Sequence, residues 1–259
     1  MGTRDLGGVT VTPVLDGMAR MSVGDAFGDS AAEVFSAHAE AFTLDGHLEF
    51  PVGAFLVRSR DRVVLVDAGA GPRDSWMKSG MLLQNLRELG VATTDITDVV
   101  YTHLHWDHIG WASQKGDATF GRARHHCHEA DWNHFYGRQP GATKRLKPIE
   151  SRFEFWSSDR TVVPGVDVVH APGHTPGSSV VVVSGSKSKV ALLGDVVHCP
   201  FQLSDSEVGF VSDFDPGLAA LTRGAIAREL EDQGIESTGA HFPNMSFGRM
   251  FDADRKWIP

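Results

Sequence analysis

Cysteine is scarce in this chain. Two residues, Cys127 and Cys199, and no Cys-x-x-Cys pair occur in 259 positions. That excludes a disulfide framework or a thiolate zinc site and predicts two reduced thiols. No apolar run approaches the length of a membrane span, and Met1-Gly2-Thr3-Arg4-Asp5-Leu6-Gly7-Gly8 lacks the apolar stretch of a secretory signal. A cytoplasmic enzyme is therefore expected, with no membrane as partner. Positive charge is in deficit as well: 24 Lys and Arg against 33 Asp and Glu leave a net charge of −9. That balance argues against nucleic acid or anionic lipid as a partner. Repeats and low-complexity linkers are missing, and a hydrophobic content of 41% can bury a large core, so residues 1–259 are read as one domain.

What the chain does have is a concentration of histidine. Thr102-His103-Leu104-His105-Trp106-Asp107-His108-Ile109-Gly110 packs three histidines and an aspartate into six positions. Imidazole nitrogen and carboxylate oxygen are the ligand types that zinc and similar divalent ions accept. The preceding Asp98-Val99-Val100-Tyr101 is β-branched and apolar, as in a buried strand. If the chain left that strand still extended, His103, His105 and Asp107 would lean one way and His108 the other. One loop could then serve two ions, with His103 and His105 on the first and Asp107 and His108 on the second.

His103-x-His105-x-Asp107-His108 resembles the signature of the metallo-β-lactamase superfamily. The rest of that pattern follows in order as Gly173-His174-Thr175-Pro176-Gly177, Leu192-Leu193-Gly194-Asp195 and Gly239-Ala240-His241-Phe242-Pro243. The resemblance runs from Val63 to His241 and implies an α/β fold, the four-layer αββα sandwich. It also implies two divalent ions, most simply zinc: His174 completes the first site, His241 the second, and Asp195 bridges them. Asp67, which ends the run Val63-Val64-Leu65-Val66, is then expected to orient a ligating histidine through its free ring nitrogen.

Elsewhere the pattern is plainer. Val9, Val11 and Val14-Leu15 read as an opening strand ending at Asp16-Gly17, with Pro13 marking an edge. Residues 18–50 are turn-rich, hold Phe27, Phe35, Phe42 and Phe50, and suggest a helix only over Asp29–Glu40; they form either a lid over a site or packing behind the sheet. Phe55-Leu56-Val57 and Val63–Val66 make a hairpin. Residues of about 80 to 89 form a helix stopped by Gly90. His125, His126, His128 and His134 are explained by a strand followed by a helix rather than by a further metal site. Residues 131–160 break the strand rhythm and look like an insertion, shaping either a pocket wall or a subunit contact, so a homodimer stays open. Strands return at Val166–Val169, Val180–Val183 and Val190–Leu193. A helix follows, capped by Asp215, ended by Gly234, with Leu218, Leu221, Ala225 and Leu230 on one face.

Two ions lower the pKa of a bound water and polarise a substrate oxygen, so hydrolysis is the expected reaction, with Asp107 and His198 among the catalytic residues. Within the family resemblance, departures decide between branches. The superfamily's true β-lactamases lack the bridging aspartate that Asp195 supplies, and its diiron redox members have an acidic residue where this chain has His105. The large basic insertions of RNA-processing members are missing, and one carboxy-terminal helix is a poor match to the glyoxalase II thioesterases. What remains resembles quorum-quenching lactonases and methyl parathion hydrolases, which implies cleavage of a lactone or related ester in a small molecule with an apolar part. The competing readings are a mononuclear-iron persulfide-dioxygenase-like oxidoreductase, or a β-lactamase or phosphotriesterase activity on the same fold. Trp106, Phe201, Phe27 and Phe50 are the expected substrate contacts, core packing being the alternative for Phe50. His198 stands where the similar lactonases place a tyrosine, which keeps a hydrogen-bond donor for the substrate oxygen.

Overall fold

The computed structural model describes residues 2–251 and 256–259. Two sheets lie face to face. The larger has nine strands, ordered Phe153–Trp156, Arg124–His128, Asp98–Val100, Arg62–Val66, His47–Ser59, Val9–Ser22, Met77–Ser79 and Arg73–Asp74, with Arg4–Asp5 also paired to Val9–Ser22. The smaller runs Arg160–Val163, Val166–His170, Ser179–Ser184, Lys189–Leu192, Glu236–Thr238.

Apolar runs buried on both faces build the layers. Phe55, Val57, Val64, Val66 and Val100 meet Val166, Val168, Val181, Val183, Val190 and Leu192 between the sheets. The alternate residues Leu56, Leu65 and Val99 turn outward under Leu82 and Leu86 of the helix Leu82–Glu88, beside Phe135, Ala142 and Leu146. On the far side, Val180, Ala191 and Leu193 pack against Ala227 and Leu230 of the helix Pro216–Gln233. The result is the αββα sandwich. Arg62–Val66, Asp98–Val100 and Arg124–His128 are mutually parallel, as are Lys189–Leu192 and Glu236–Thr238. Parallel strands of one sheet end at one edge, which gathers the loops that follow them.

Four expectations are corrected. The first strand passes through Asp16-Gly17 and continues to Ser22, with a register shift between Leu15 and Gly17. A bulge absorbs the turn-like pair while pairing with His47–Ser59 resumes beyond it. Pro13 does lie where the strand has no neighbour on one side, between the stretches paired to Arg4–Asp5 and to Met77–Ser79.

Residues 131–160 are no appendage. They supply the helix Pro140–Leu146 and an edge strand parallel to Arg124–His128, and Phe135, Ala142, Leu146 and Ile149 join the core.

On the last helix, Leu218, Leu221 and Ala225 face outward, Leu221 being 71% exposed. Ala219, Ala220, Arg223, Ala227 and Leu230 are the buried face instead. The first turns of the helix lie so close to the loop at Gly173 that a side chain there would overlap the Ala219 backbone, so small residues face inward at 219 and 220, while the larger Arg223 and Leu230 are buried further along.

The metal loop is also not extended. His108 N–H and Ile109 N–H both donate to the His105 carbonyl, a tight turn that swings Asp107 and His108 to the same side.

Candidate metal centre

The expected ligands and the supporting Asp67 follow strands of the sandwich. Asp67 follows Arg62–Val66, His103 follows Asp98–Val100, His174 follows Val166–His170, Asp195 follows Lys189–Leu192 and His241 follows Glu236–Thr238. They converge into two clusters, His103, His105, His174, Asp195 and Asp107, His108, Asp195, His241, in each of which the ligand atoms lie within 4.8 Å of one another. His103 and His105 fall in one cluster and Asp107 and His108 in the other, as the pairing expected from the sequence has it, but a turn and not strand alternation brings Asp107 to the side of His108.

The atoms are placed as ligands. His105 Nδ1 lies 3.0 Å from His103 Nε2 and 2.9 Å from His174 Nε2. Three ring nitrogens pointed at one another cannot all be satisfied by mutual hydrogen bonds, but a shared cation satisfies all three. Asp195 faces both ways: Oδ1 is 3.1 Å from His108 Nε2 and 3.2 Å from His241 Nε2, while Oδ2 is 3.7 Å from His103 and 3.6 Å from His174. Buried His108 Nε2 and Asp195 Oδ1 have no hydrogen-bond partner among the described residues. A buried orphan of this kind is costly unless an ion completes it. The residues therefore fit two divalent ions.

Electrostatics separates the clusters. Burial, reinforced by the charge of neighbouring histidines, lowers His103 well below the ordinary imidazole range and His105 to about 3. Burial also pulls His108 and His241 down, but the carboxylates around them together outweigh it and raise both, Asp195 first, with Asp107 at both and Asp67 at His108. His103 and His105 are thus held as neutral imidazole, the form that binds a cation, whereas an ion entering beside His108 and His241 displaces protons.

Buried acids hold the ligands in place. Asp67 Oδ2 accepts from His108 Nδ1 at 2.8 Å and also anchors Thr102 through its backbone N–H and its hydroxyl, so the orienting role expected of it fits the geometry. Three further supports escaped the sequence. Asp213 Oδ1 faces His174 Nδ1 at 3.0 Å, and its Oδ2 accepts from Arg223 Nη1, a fully buried guanidinium. Burial alone would raise Asp213; the hydrogen bond with His174 and the charges of His198 and Arg223 bring it down to about 2. Asp131 accepts from Leu104 N–H and Gly177 N–H, tying the first metal loop to the His174 loop. Gly177 is required there, since a Cβ would fall 2.6 Å from the Asp131 nitrogen. Asp16, at the bulge, accepts from Ala70, Gly71, Gly80 and Leu82 N–H and from Trp111 Nε1. A bulge aspartate signals little by itself, and its five donors come from 54 to 95 positions away.

The cleft over the clusters measures about 200 Å³ and is walled by Met21, Phe50, Trp76, Trp106, Phe210 and Val211, with His105, Asp107, Asp195, His198, Ser212 and His241 at its base. Trp106 and Phe50 both line the cleft, Phe50 edge-on to His241 at 5.1 Å. Phe27 and Phe201 are not among its lining residues. Phe27 is buried against Phe42, Phe201 and Phe210, and Phe201 stacks on His38 at 4.2 Å. Rings in a turn-rich segment found one another, and that aromatic cluster backs Phe210, the residue that does reach the cleft. Segment 18–50 therefore contributes both wall and packing. The second histidine set divides as strand and helix: His125 contacts the Tyr101 hydroxyl, His126 pairs with Asp98, and His128 caps the next helix.

An αββα sandwich with paired histidine–aspartate clusters at one edge defines a metallohydrolase class. The Metallo-beta-lactamase superfamily model matches residues 48–233, and the chain belongs to that superfamily. An N-acyl homoserine lactonase of Bacillus sp is 25% identical over 191 residues, 66% of this chain and 73% of the relative. A probable metallo-hydrolase of Mycobacterium bovis is 25% identical over 235 residues, 77% and 74% of the two chains. Among solved structures, AidC, a dizinc quorum-quenching lactonase with a bound product, superposes with a TM-score of 0.88 at 23% identity, covering 100% of this chain and 96% of that one. The hydrolase AbOPH gives 0.87 at 25% identity over 99% and 96%. Family and geometry together support a metal-dependent hydrolase. Among the described residues, no helix is long and apolar enough to cross a membrane.

Proposed function

We propose that the protein is a dinuclear zinc hydrolase that opens a lactone, with N-acyl homoserine lactones the first class to test and related esters the next. The observation that carries the reading is Asp195, whose two carboxylate oxygens each face a complete histidine cluster. A mononuclear iron oxidoreductase has no use for the second cluster. The lactonase relatives support the substrate class. When bound, the ions supply water activation and polarisation of the carbonyl oxygen. His103, His105 and His174 hold one, Asp107, His108 and His241 the other, with Asp195 between. Met21, Phe50, Trp76, Trp106 and Phe210 offer apolar surface for an acyl chain, which suits a substrate with an apolar part.

We assign His198, which lines the cleft beside Asp195, to the substrate oxygen. Its Nε2 lies 3.1 Å from Asp195 Oδ2 and its ring stacks on Phe210 at 3.9 Å. The backbone N–H groups of His198 and Cys199 both donate to Gln202 Oε1, so Gln202 holds the start of the following loop without using the imidazole nitrogens. An imidazole N–H aimed at the developing oxyanion contributes about 10² to 10³ in kcat. Metal-analysed protein assayed on lactones, aryl esters, thioesters, phosphotriesters and β-lactams, with oxygen uptake measured on a persulfide, tests the proposal. Two zinc ions and preference for a lactone are expected; a single iron with oxygen consumption, or a better phosphotriester or β-lactam, overturns it. His198→Phe should keep its metal and lose kcat, and a kcat close to wild type removes His198 from the chemistry.

A further inference from the structure

Beyond Trp106 from the metal clusters lies a separate pocket of about 480 Å³, lined by Arg73, Trp106, Ser113, Lys115, Lys144 and Arg145 among others. Trp106 is its common wall with the catalytic cleft. The protein carries a net charge of −9, yet all four charged residues of this lining are cations. Elsewhere several arginines pair with acids, Arg4 with Glu236, Arg20 with Asp45 and Glu49, Arg62 with Asp98, and Arg124 with Glu154, whereas Arg58 and Arg160 donate to backbone carbonyls. Arg73, Lys115, Lys144 and Arg145 form no ion pair among the described residues.

The pocket is also braced. Arg145 Nη1 donates to the Ser113 carbonyl at 2.8 Å, and Ser113 Oγ donates to the Arg145 carbonyl at 2.7 Å. This joins the helix Pro140–Leu146 to the hairpin that presents Lys115. Arg73 sits over the Trp106 ring at 4.3 Å, and Trp76 meets the same ring edge-on at 5.9 Å. Burial, then the charge of Arg73, lowers the Arg145 guanidinium below its ordinary value. Arg73 thus acts on Arg145 across the pocket, and the two lysines complete a lining of one sign, which favours an anion there. We infer that this pocket is an anion-binding subsite, taking a carboxylate or phosphate group of a small molecule that lies beside the catalytic cleft. Guanidinium and ammonium donors at its walls suit both groups. The anion is either the remote end of the substrate, reached across Trp106, or a separate small anion.

The test uses the zinc-loaded protein with sulfate as probe, at ionic strength held constant with sodium chloride. Sulfate should raise the melting temperature of the wild type saturably, and Lys115→Gln/Lys144→Gln should lose most of that rise. No rise in the wild type, or one that persists in the double variant, places any bound sulfate elsewhere, including at the metal pair, and overturns the inference. A second arm compares lactones whose acyl chains end in a carboxylate or in a methyl group. If the anion belongs to the substrate, the ratio of the two KM values rises in the double variant about five- to tenfold, the scale of two partly exposed charge contacts. Loss of the sulfate effect with an unchanged ratio assigns the pocket to a separate anion. This arm rests on the lactone reading and the sulfate arm does not, so failure of the one is distinguishable from failure of the other.

Discussion

Asp213 links two roles that mutation can separate. Its carboxylate faces His174 Nδ1 through one oxygen and accepts from Arg223 through the other, which also takes the Phe210 N–H. Arg223 is fully buried, its Nη2 has no partner among the described residues, and its other hydrogen bond goes to the Ser206 carbonyl. Asp213→Ala therefore strands a buried guanidinium, and unfolding should become easier by about 3–5 kcal/mol. The same change frees the His174 ring, and loss of such an orienting partner weakens metal binding about 10- to 100-fold. In Asp213→Ala/Arg223→Met no charge is left unpaired, so most of the stability should return while metal affinity stays low. Urea unfolding of chelator-treated protein reads the first quantity, and competition with a chromophoric chelator reads the second. If the double variant is no more stable than Asp213→Ala, the stranded charge is not the cause. If its metal affinity recovers, Asp213 acts through Arg223 rather than on His174, and the reasoning fails.

Three further outcomes are expected. Trp106→Ala should raise KM about tenfold for a long-chain acyl lactone and little for a short one, the loss of contact with one or two methylenes at about 0.8 kcal/mol each; an equal effect on both chain lengths counts against contact at Trp106. Zinc present at about 100 times its Kd should stabilise the folded protein by about 2.7 kcal/mol per site, read as a rise in melting temperature, and Asp195→Ala should retain fewer than two ions after dialysis against chelator. His125 is fully buried and burial lowers it to about 3 from an ordinary 6.5. The unfolded chain therefore binds its proton first, and stability falls as the pH drops below 6.5; between pH 6.5 and 4.5 this group removes up to about 2.7 kcal/mol. In chelator-treated protein, His125→Phe should flatten that slope in urea titrations, and an unchanged slope assigns the acid sensitivity to other groups.

Sequence alone determined what depends on local chemistry. The spacing of His103, His105, Asp107 and His108 divides them between two clusters of potential ligands, and the strands at 55–57, 63–66, 166–169 and 180–183 are written in short apolar runs between turn residues. The cap Asp215 and the stop Gly234 also stand where the helix begins and ends. These features are legible because neighbouring residues carry them. The tertiary structure decided the rest. Asp16, Asp131 and Asp213 are ordinary acids in sequence, and become supports only because loops 27 to 95 positions apart are folded onto them. Phe27 and Phe210 look alike as residues, yet one is packing and the other a cleft wall. Leucines at 218 and 221 read as core by periodicity, but the close approach of the helix at Gly173 admits only small side chains beneath its first turns. Periodicity reports which residues share a face, whereas the distance to the neighbouring element decides which face can be buried.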